Sequence, residues 1–200
     1  MDCEKVGKLI KQLRKEHGYT QQQVANALNI SNKTVSKWEN GFGCPDVSLL
    51  GELSIVLGVD LEQMLKGRLR MNQFDNGNMK RVKFYVCPFC GNVLTGTGSG
   101  SISCCGRKLT PLIPKMHLSE HTFTIKEIDL DYYVSSKHPM SKEHYITFIA
   151  CVGTDKVLLN RLYPEQSCAV RIPLSFHKGI IYAYCTEHGL WAMPMEIENE

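Results

Sequence analysis

No run in this 200-residue sequence approaches the roughly 20 consecutive apolar residues that a membrane-spanning helix requires. The opening segment MDCEKVGKLIKQ carries charge where a secretory signal needs an apolar core, so the expectation is a cytoplasmic protein with no membrane partner. Net charge is also small, at +3, so any binding to nucleic acid must come from a local basic patch and not from the overall field. What is present is a folding composition, 43% hydrophobic, enough for one to two domains. Nine cysteines stand out. In a reducing compartment they favour metal or redox chemistry over a disulfide framework.

The first third reads as helices. Over residues 5–15, Val6, Leu9, Ile10 and Leu13 fall on one stripe, and Gly18 stops the helix. Thr20 with Gln23 makes a capping-box pattern for a second helix, Gln21–Leu28, which should bury Val24, Ala25 and Leu28. Asn29-Ile30 form a turn, and Ser31 caps a third helix, Asn32–Asn40, closed by Gly41. A fourth is expected at about Val47–Leu57 and a short fifth at Leu61–Leu65, capped by Asp60. Two short helices joined by a tight turn, with Ala25 small at their crossing, match a helix-turn-helix.

The string YTQQQVANALNISNKTVSKWENG resembles the Cro/C1-type (XRE) repressor family, over about residues 5–66. The resemblance implies a five-helix, lambda-repressor-like DNA-binding domain, commonly dimeric, with Asn32–Asn40 as recognition helix in the major groove of double-stranded DNA. Asn32, Lys33 and Lys37 are the candidates for base edges, and Gln21 and Asn40 for phosphates. Thr34 and Ser36 complete the DNA-binding set, while Val35 and Trp38 should face the core. The bland alternative is a helical protein-interaction domain of the same fold. Residues 67–83 read as a linker after a domain spanning 1–66.

Between 84 and 114, Cys87-Pro-Phe-Cys90-Gly and Ser-Cys104-Cys105-Gly place two cysteine pairs around a Gly/Ser/Thr loop. Four thiolates suit a tetrahedral zinc or a single iron, with disulfides the weaker alternative. The adjacent-cysteine form resembles desulforedoxin, the small iron knuckle that opens many desulfoferrodoxins. A zinc staple and an electron-transfer iron both remain open.

Residues 115–200 turn to short alternating segments, HTFTIKEI, YYVSS, HYITFIACV, KVLLNRLY, CAVRIPL and IIYAYCT, which imply an all-β sandwich. His138 and His144 bracket a turn, and Cys185-Thr-Glu-His188 closes the last expected strand into a Gly189 turn. This H-x5-H followed by C-x2-H-G resembles the superoxide reductase domain of desulfoferrodoxin and neelaredoxin, over about residues 85–193 with the knuckle included. The resemblance implies an immunoglobulin-like sandwich and an iron held by His121, His138, His144 and His188, with Cys185 as axial thiolate and a sixth position open to superoxide. The chain departs from the family where a Glu-Lys pair should precede the first histidine: Ser119-Glu120 stand there instead, removing a substrate-attracting cation. The segment between the first two histidines is also short, which leaves His117 as a competitor of His121. His17 and His177 read as surface or turn histidines, Cys3, Cys44, Cys151 and Cys168 as buried or incidental thiols, and Tyr182, Tyr184 and Trp191 as core.

Three functions follow: a DNA-binding regulator carrying an iron redox or superoxide-sensing domain, a superoxide reductase with an attached DNA-binding module, or a repressor stapled by inert metals. The missing lysine argues against an efficient enzyme, and the five ligands argue against mere staples.

Overall fold

The computed structural model describes residues 1–74, 77–116, 122–176 and 178–195. The chain divides into two compact units, Met1–Met71 and Asn72–Glu200.

Among the described residues of the first unit are five α-helices, α1 (Cys3–Glu16), α2 (Gln21–Ala27), α3 (Asn32–Glu39), α4 (Val47–Val56) and α5 (Leu61–Lys66). The expected stripe on α1 is buried, as are Val24, Ala25, Leu28, Val35 and Trp38. The Thr20–Gln23 capping box forms in full, and Ser31 Oγ accepts from the Thr34 amide. α1 starts earlier than its stripe implies because Asp2 accepts from the Lys5 amide at 3.2 Å and caps it. α1 and α3 touch so closely at Gly7 that a Cβ there would lie 1.9 Å from the Trp38 carbonyl oxygen, so no other residue fits. Behind α3 lies a buried ion pair. Arg14 donates through Nε and Nη2 to the carboxylate of Glu39, the second bond at 2.9 Å, and Gln21 Nε2 donates to the same carboxylate at 2.8 Å. Burial pushes the Glu39 carboxyl up, but these hydrogen bonds outweigh it and the net direction is down.

One expectation is corrected in this unit. Cys3 and Cys44 are not incidental thiols but are joined as a disulfide, with Cα atoms 4.8 Å apart. The two positions are separated by 41 residues, and no local pattern links them.

The second unit begins with two antiparallel hairpins, β1 (Lys83–Val86) with β2 (Val93–Gly96) and β3 (Ile102–Cys104) with β4 (Arg107–Leu109). Then come β5 (Lys115–Met116), β6 (Thr124–Ile128), β7 (Asp131–Ser135), β8 (Ile146–Val152), β9 (Val157–Arg161), β10 (Ala169–Pro173), β11 (Ile180–Cys185) and β12 (Gly189–Pro194). They form a three-stranded sheet, β10-β7-β6, and a five-stranded sheet, β5-β12-β11-β8-β9. Ile125, Val134 and Ile172 from one sheet meet Ile149, Ile181 and Ala183 from the other, giving the sandwich core. The opposite face of the large sheet is covered too: Phe84 packs with Phe148, Ala150, Val152 and Leu190. β8 is therefore buried at every position, which explains its unbroken apolar run. Met79 and Val82 join that cluster, so the end of the segment expected as linker is part of this unit. Cys151 and Cys168 are buried, and Trp191 stacks on Phe123 in the core. β12 was not expected, because the chain reverses after Cys185 into a further strand, pairing Cys185 with Gly189. His17 lies at the surface, with Nε2 3.1 Å from the Leu57 carbonyl oxygen. His177 lies outside the described residues.

Candidate metal centre and nucleic-acid interface

Two segments build the histidine site. One is the loop between β7 and β8, which carries His138 and His144; the other is the end of β11 with the turn that follows it, which carry Cys185 and His188. The ligating atoms of these four side chains all lie within 4.8 Å of one another. His121, and its competitor His117, lie outside the described residues.

Each ligand is held by its surroundings. The pairing of β11 with β8 slips between Tyr184 and Cys185, a bulge that re-aims the terminal cysteine of the strand. Gly189, at φ +78°, lets the chain turn back at once, keeping His188 next to Cys185. Thr186 stitches the turn to the histidine loop: its amide donates to the Tyr145 carbonyl at 3.0 Å, its hydroxyl to the Glu143 carbonyl at 2.9 Å, and the Tyr145 amide donates to that hydroxyl at 3.2 Å. Ser141 Oγ accepts from the His144 amide at 3.0 Å. His138 Nδ1 sits 2.6 Å from the Pro139 carbonyl, which assigns the proton to Nδ1 and leaves Nε2 a lone pair. Burial lowers the His138 value and outweighs the opposing Pro139 hydrogen bond, with His144 and His188 adding to the fall, a direction that favours the neutral ring a metal needs.

The donor set fits a metal. Cys185 Sγ and His188 Nδ1 lie 3.3 Å apart. Ligands at right angles on one metal, at about 2.3 Å for sulfur and 2.1 Å for nitrogen, are separated by about 3.1 Å. His144 Nε2 is buried with no hydrogen-bond partner among the described residues, while the Glu187 carboxylate lies 3.6 Å from its Nδ1. A buried imidazole nitrogen aimed at a thiol and other imidazoles is what a metal would satisfy. Thr186, Ser141 and Glu187 carry no pattern of their own in the sequence. For Thr186 the one clue is its place inside C-x2-H.

The cysteine knuckle brings Cys87, Cys90, Cys104 and Cys105 together. Cys90 and Cys104 sulfurs are 3.5 Å apart, and Cys104 and Cys105 sulfurs 4.0 Å. Tetrahedral thiolates at about 2.3 Å from a metal are about 3.8 Å apart, so the set fits. Backbone N–H groups of Cys90 and Phe89 pull the Cys87 thiol down to about 6. Neighbouring Cys90, with burial, pushes Cys105 up to about 12. Sulfurs this close oppose one another's ionisation, and a cation among them removes that opposition. Gly91 (φ +67°) and Gly106 (φ +71°) make the turns after each pair.

On α3, Asn32, Lys33 and Lys37 are exposed, so the expected base-reading side chains stand free. Others are engaged within the unit. Thr34 Oγ1 bonds Ser31 Oγ at 2.9 Å, Asn40 Nδ2 donates to the Ser36 carbonyl at 2.8 Å, and Gln21 is held by Glu39. Thr34 and Ser36 are half-buried. Glu39, which orients Gln21, has no marker in the helical pattern.

An exposed reading helix on a helix-turn-helix unit, together with a His/Cys centre in a β-sandwich, defines a two-module, metal-site-bearing chain. Residues 10–64 match the helix-turn-helix family model and residues 106–194 the desulfoferrodoxin family model. The desulfoferrodoxin of Desulfarculus baarsii is 31% identical over 121 residues, covering 56% of this chain and 95% of that protein. The chain belongs to the desulfoferrodoxin family. It is also 39% identical over 61 residues to the SPbeta prophage-derived HTH-type transcriptional regulator YonR of Bacillus subtilis, covering 30% of this chain and 56% of that one. The superoxide reductase of Treponema pallidum aligns over 56% of this chain and 97% of its own, at 19% identity and a TM-score of 0.49. No described helix is long and apolar enough to cross a membrane.

Proposed function

We propose that this protein is a transcriptional regulator that binds double-stranded DNA through α3 and responds to oxidants through the metal centre of its sandwich. The observation that carries the reading is the union, in one chain, of an exposed recognition-type helix with a desulfoferrodoxin-family ligand set. Lys33 and Lys37 would reach guanine edges, and Asn32 would pair with adenine. Gln21 and Asn40 would fix the helix on the phosphates and Thr34 and Ser36 would complete the DNA contacts, with Thr34, Gln21 and Asn40 exchanging their present partners. His138, His144, His188 and Cys185, with His121 as the fourth imidazole, would hold iron, and the four cysteines of the knuckle would hold iron or zinc. Iron so held supplies one-electron chemistry toward superoxide or a related small oxidant. The chain would act in the cytoplasm, as a homodimer on two half-sites.

Coupling requires that the DNA-bound and free forms differ in their preference for the reduced and oxidised centre. The test is to purify the chain without oxygen, assay its metals, and measure its affinity for a duplex selected from a random pool in both redox states. A difference between the states supports the regulator. Identical binding in both, with rapid catalytic consumption of a superoxide pulse, replaces it with a superoxide reductase bearing a DNA-binding module. Zinc in both sites rules out redox sensing by either centre.

A further inference from the structure

We infer that Cys3 and Cys44 form a reversible thiol–disulfide switch in the DNA-reading unit, separate from both metal centres. The pair is outside either ligand cluster, and every other cysteine is in a metal set or buried in the sandwich core. Both residues are half-exposed, so small oxidants and reductants reach them. Their Cα separation of 4.8 Å lies in the range a disulfide spans without backbone movement. In a reducing compartment such a bond is an occasional, signalling state and not a permanent staple.

The position gives the bond a consequence. Cys3 opens α1, and Cys44 lies in the segment between α3 and α4. That segment is tied to the reading helix: the Gly41 amide donates to the Trp38 carbonyl and the Phe42 amide to the Lys37 carbonyl. It also passes close to α1, since a Cβ on Gly41 would lie 3.5 Å from Glu4 Cα. The bond therefore clamps the end of the recognition helix, where Lys37 sits, to the start of α1. In the dithiol form the clamp is open and the segment gains conformational freedom. Binding DNA then costs the entropy of ordering it, so the oxidised form binds more tightly.

The oxidant is a peroxide. The thiolate of Cys3, in the first turn of α1, attacks one peroxide oxygen. The O–O bond breaks, leaving a sulfenic acid on Cys3 and a hydroxide that takes up the proton the thiol had lost and departs as water. Cys44 sulfur then attacks that sulfenic sulfur, the S–S bond forms and a second water leaves. Overall, two thiols and hydrogen peroxide give the disulfide and two waters, with two electrons passing from sulfur to oxygen. A dithiol reductant reverses the step by exchange.

This inference rests on the proposed function for its reducing cytoplasmic setting and for its final DNA-binding readout. The full chain, loaded with zinc so that neither metal centre can change oxidation state, is reduced with a dithiol, treated with hydrogen peroxide, and probed by alkylation with mass analysis, by melting of its helical unit, and by retardation of the selected duplex. Peroxide is expected to block alkylation of Cys3 and Cys44, a dithiol to restore it, the oxidised helical unit to melt higher, and the oxidised chain to bind DNA several-fold more tightly. Cys3→Ser and Cys44→Ser chains should both bind as the reduced form does, whatever the treatment. The switch is overturned if both thiols stay alkylatable after peroxide, if the two forms bind equally, or if the redox dependence persists in both variants. Should neither form retain any duplex, the DNA-binding reading fails instead. Alkylation and melting then decide the switch, and equal melting of the two forms overturns it.

Discussion

Replacing Glu39 with alanine should unfold the helical unit at a much lower temperature while leaving the sandwich unaffected. The Glu39 side chain is 1% exposed and Arg14 12%, so the pair is screened little by water. The substitution removes the acceptor for two Arg14 bonds and for Gln21 Nε2, and leaves the guanidinium, among the described residues, with the Tyr19 carbonyl 2.8 Å away as its hydrogen-bond partner. Breaking one side of a buried pair typically costs about 3–5 kcal/mol, and the partial exposure of Arg14 favours the lower figure. A unit of this size has roughly 4–11 kcal/mol in all, at about 0.05–0.15 kcal/mol per residue. A loss of about 3 kcal/mol corresponds to a fall in Tm of roughly 12–24 °C. Far-ultraviolet circular dichroism of the full chain isolates the transition, because the described α-helices all lie in this unit. The paired replacement Arg14→Met with Glu39→Leu should melt closer to the native chain than either Arg14→Ala or Glu39→Ala, since it strands no charge. An alanine variant within about 0.5 kcal/mol of the native chain, the size of an ordinary surface change, would mean that the buried pair contributes no net stability.

The same carboxylate sets an acid limit. Its folded value lies below its unfolded one, so its contribution is present above the ordinary glutamate range and is lost as pH falls through the depressed value. Acid titration of the helical signal should show a loss below about pH 4 that Glu39→Gln removes. Lys33→Ala or Lys37→Ala should weaken binding to the selected duplex by about 1–3 kcal/mol, and native affinity in both would mean that another face reads the bases. Cys185→Ser should abolish the sulfur-to-metal charge-transfer absorption of the iron-loaded chain, and its persistence would displace Cys185 from the ligand set. Thr186→Ala removes the two hydroxyl bonds of the three that join the ligand-bearing segments and should lower metal affinity about 10–100-fold by competition with a chelator, with the sandwich still folded; unchanged affinity would show those bonds to be idle.

Legibility followed the range of the interactions. The α-helices are marked by apolar stripes and caps that act within a few residues, as at Thr20–Gln23, so their positions could be read to within a turn. Asp2 also acts locally, but it precedes the stripe and was not marked by it. The metal-ligand residue types in fixed spacings, C-x2-C and C-x2-H, announced both clusters. What was not legible depends on distant partners. The Cys3–Cys44 bond and the Arg14–Glu39 pair join positions far apart in the chain, and Thr186 matters only because β11 meets β8. β12 escaped because Gly189 reads as an ending, whereas its positive φ begins a new strand.

The slip in pairing at Tyr184 and Cys185 also bears on the order in which the chain acquires its ions. The knuckle cysteines sit on neighbouring short hairpins and can be gathered as soon as that stretch emerges during synthesis. The other cage exists only after β11 has aligned with β8 and the kink has swung its sulfur inward. Loading of the sandwich should therefore come last, and a cell short of that metal would accumulate chains with the first cation in place and the second still awaited.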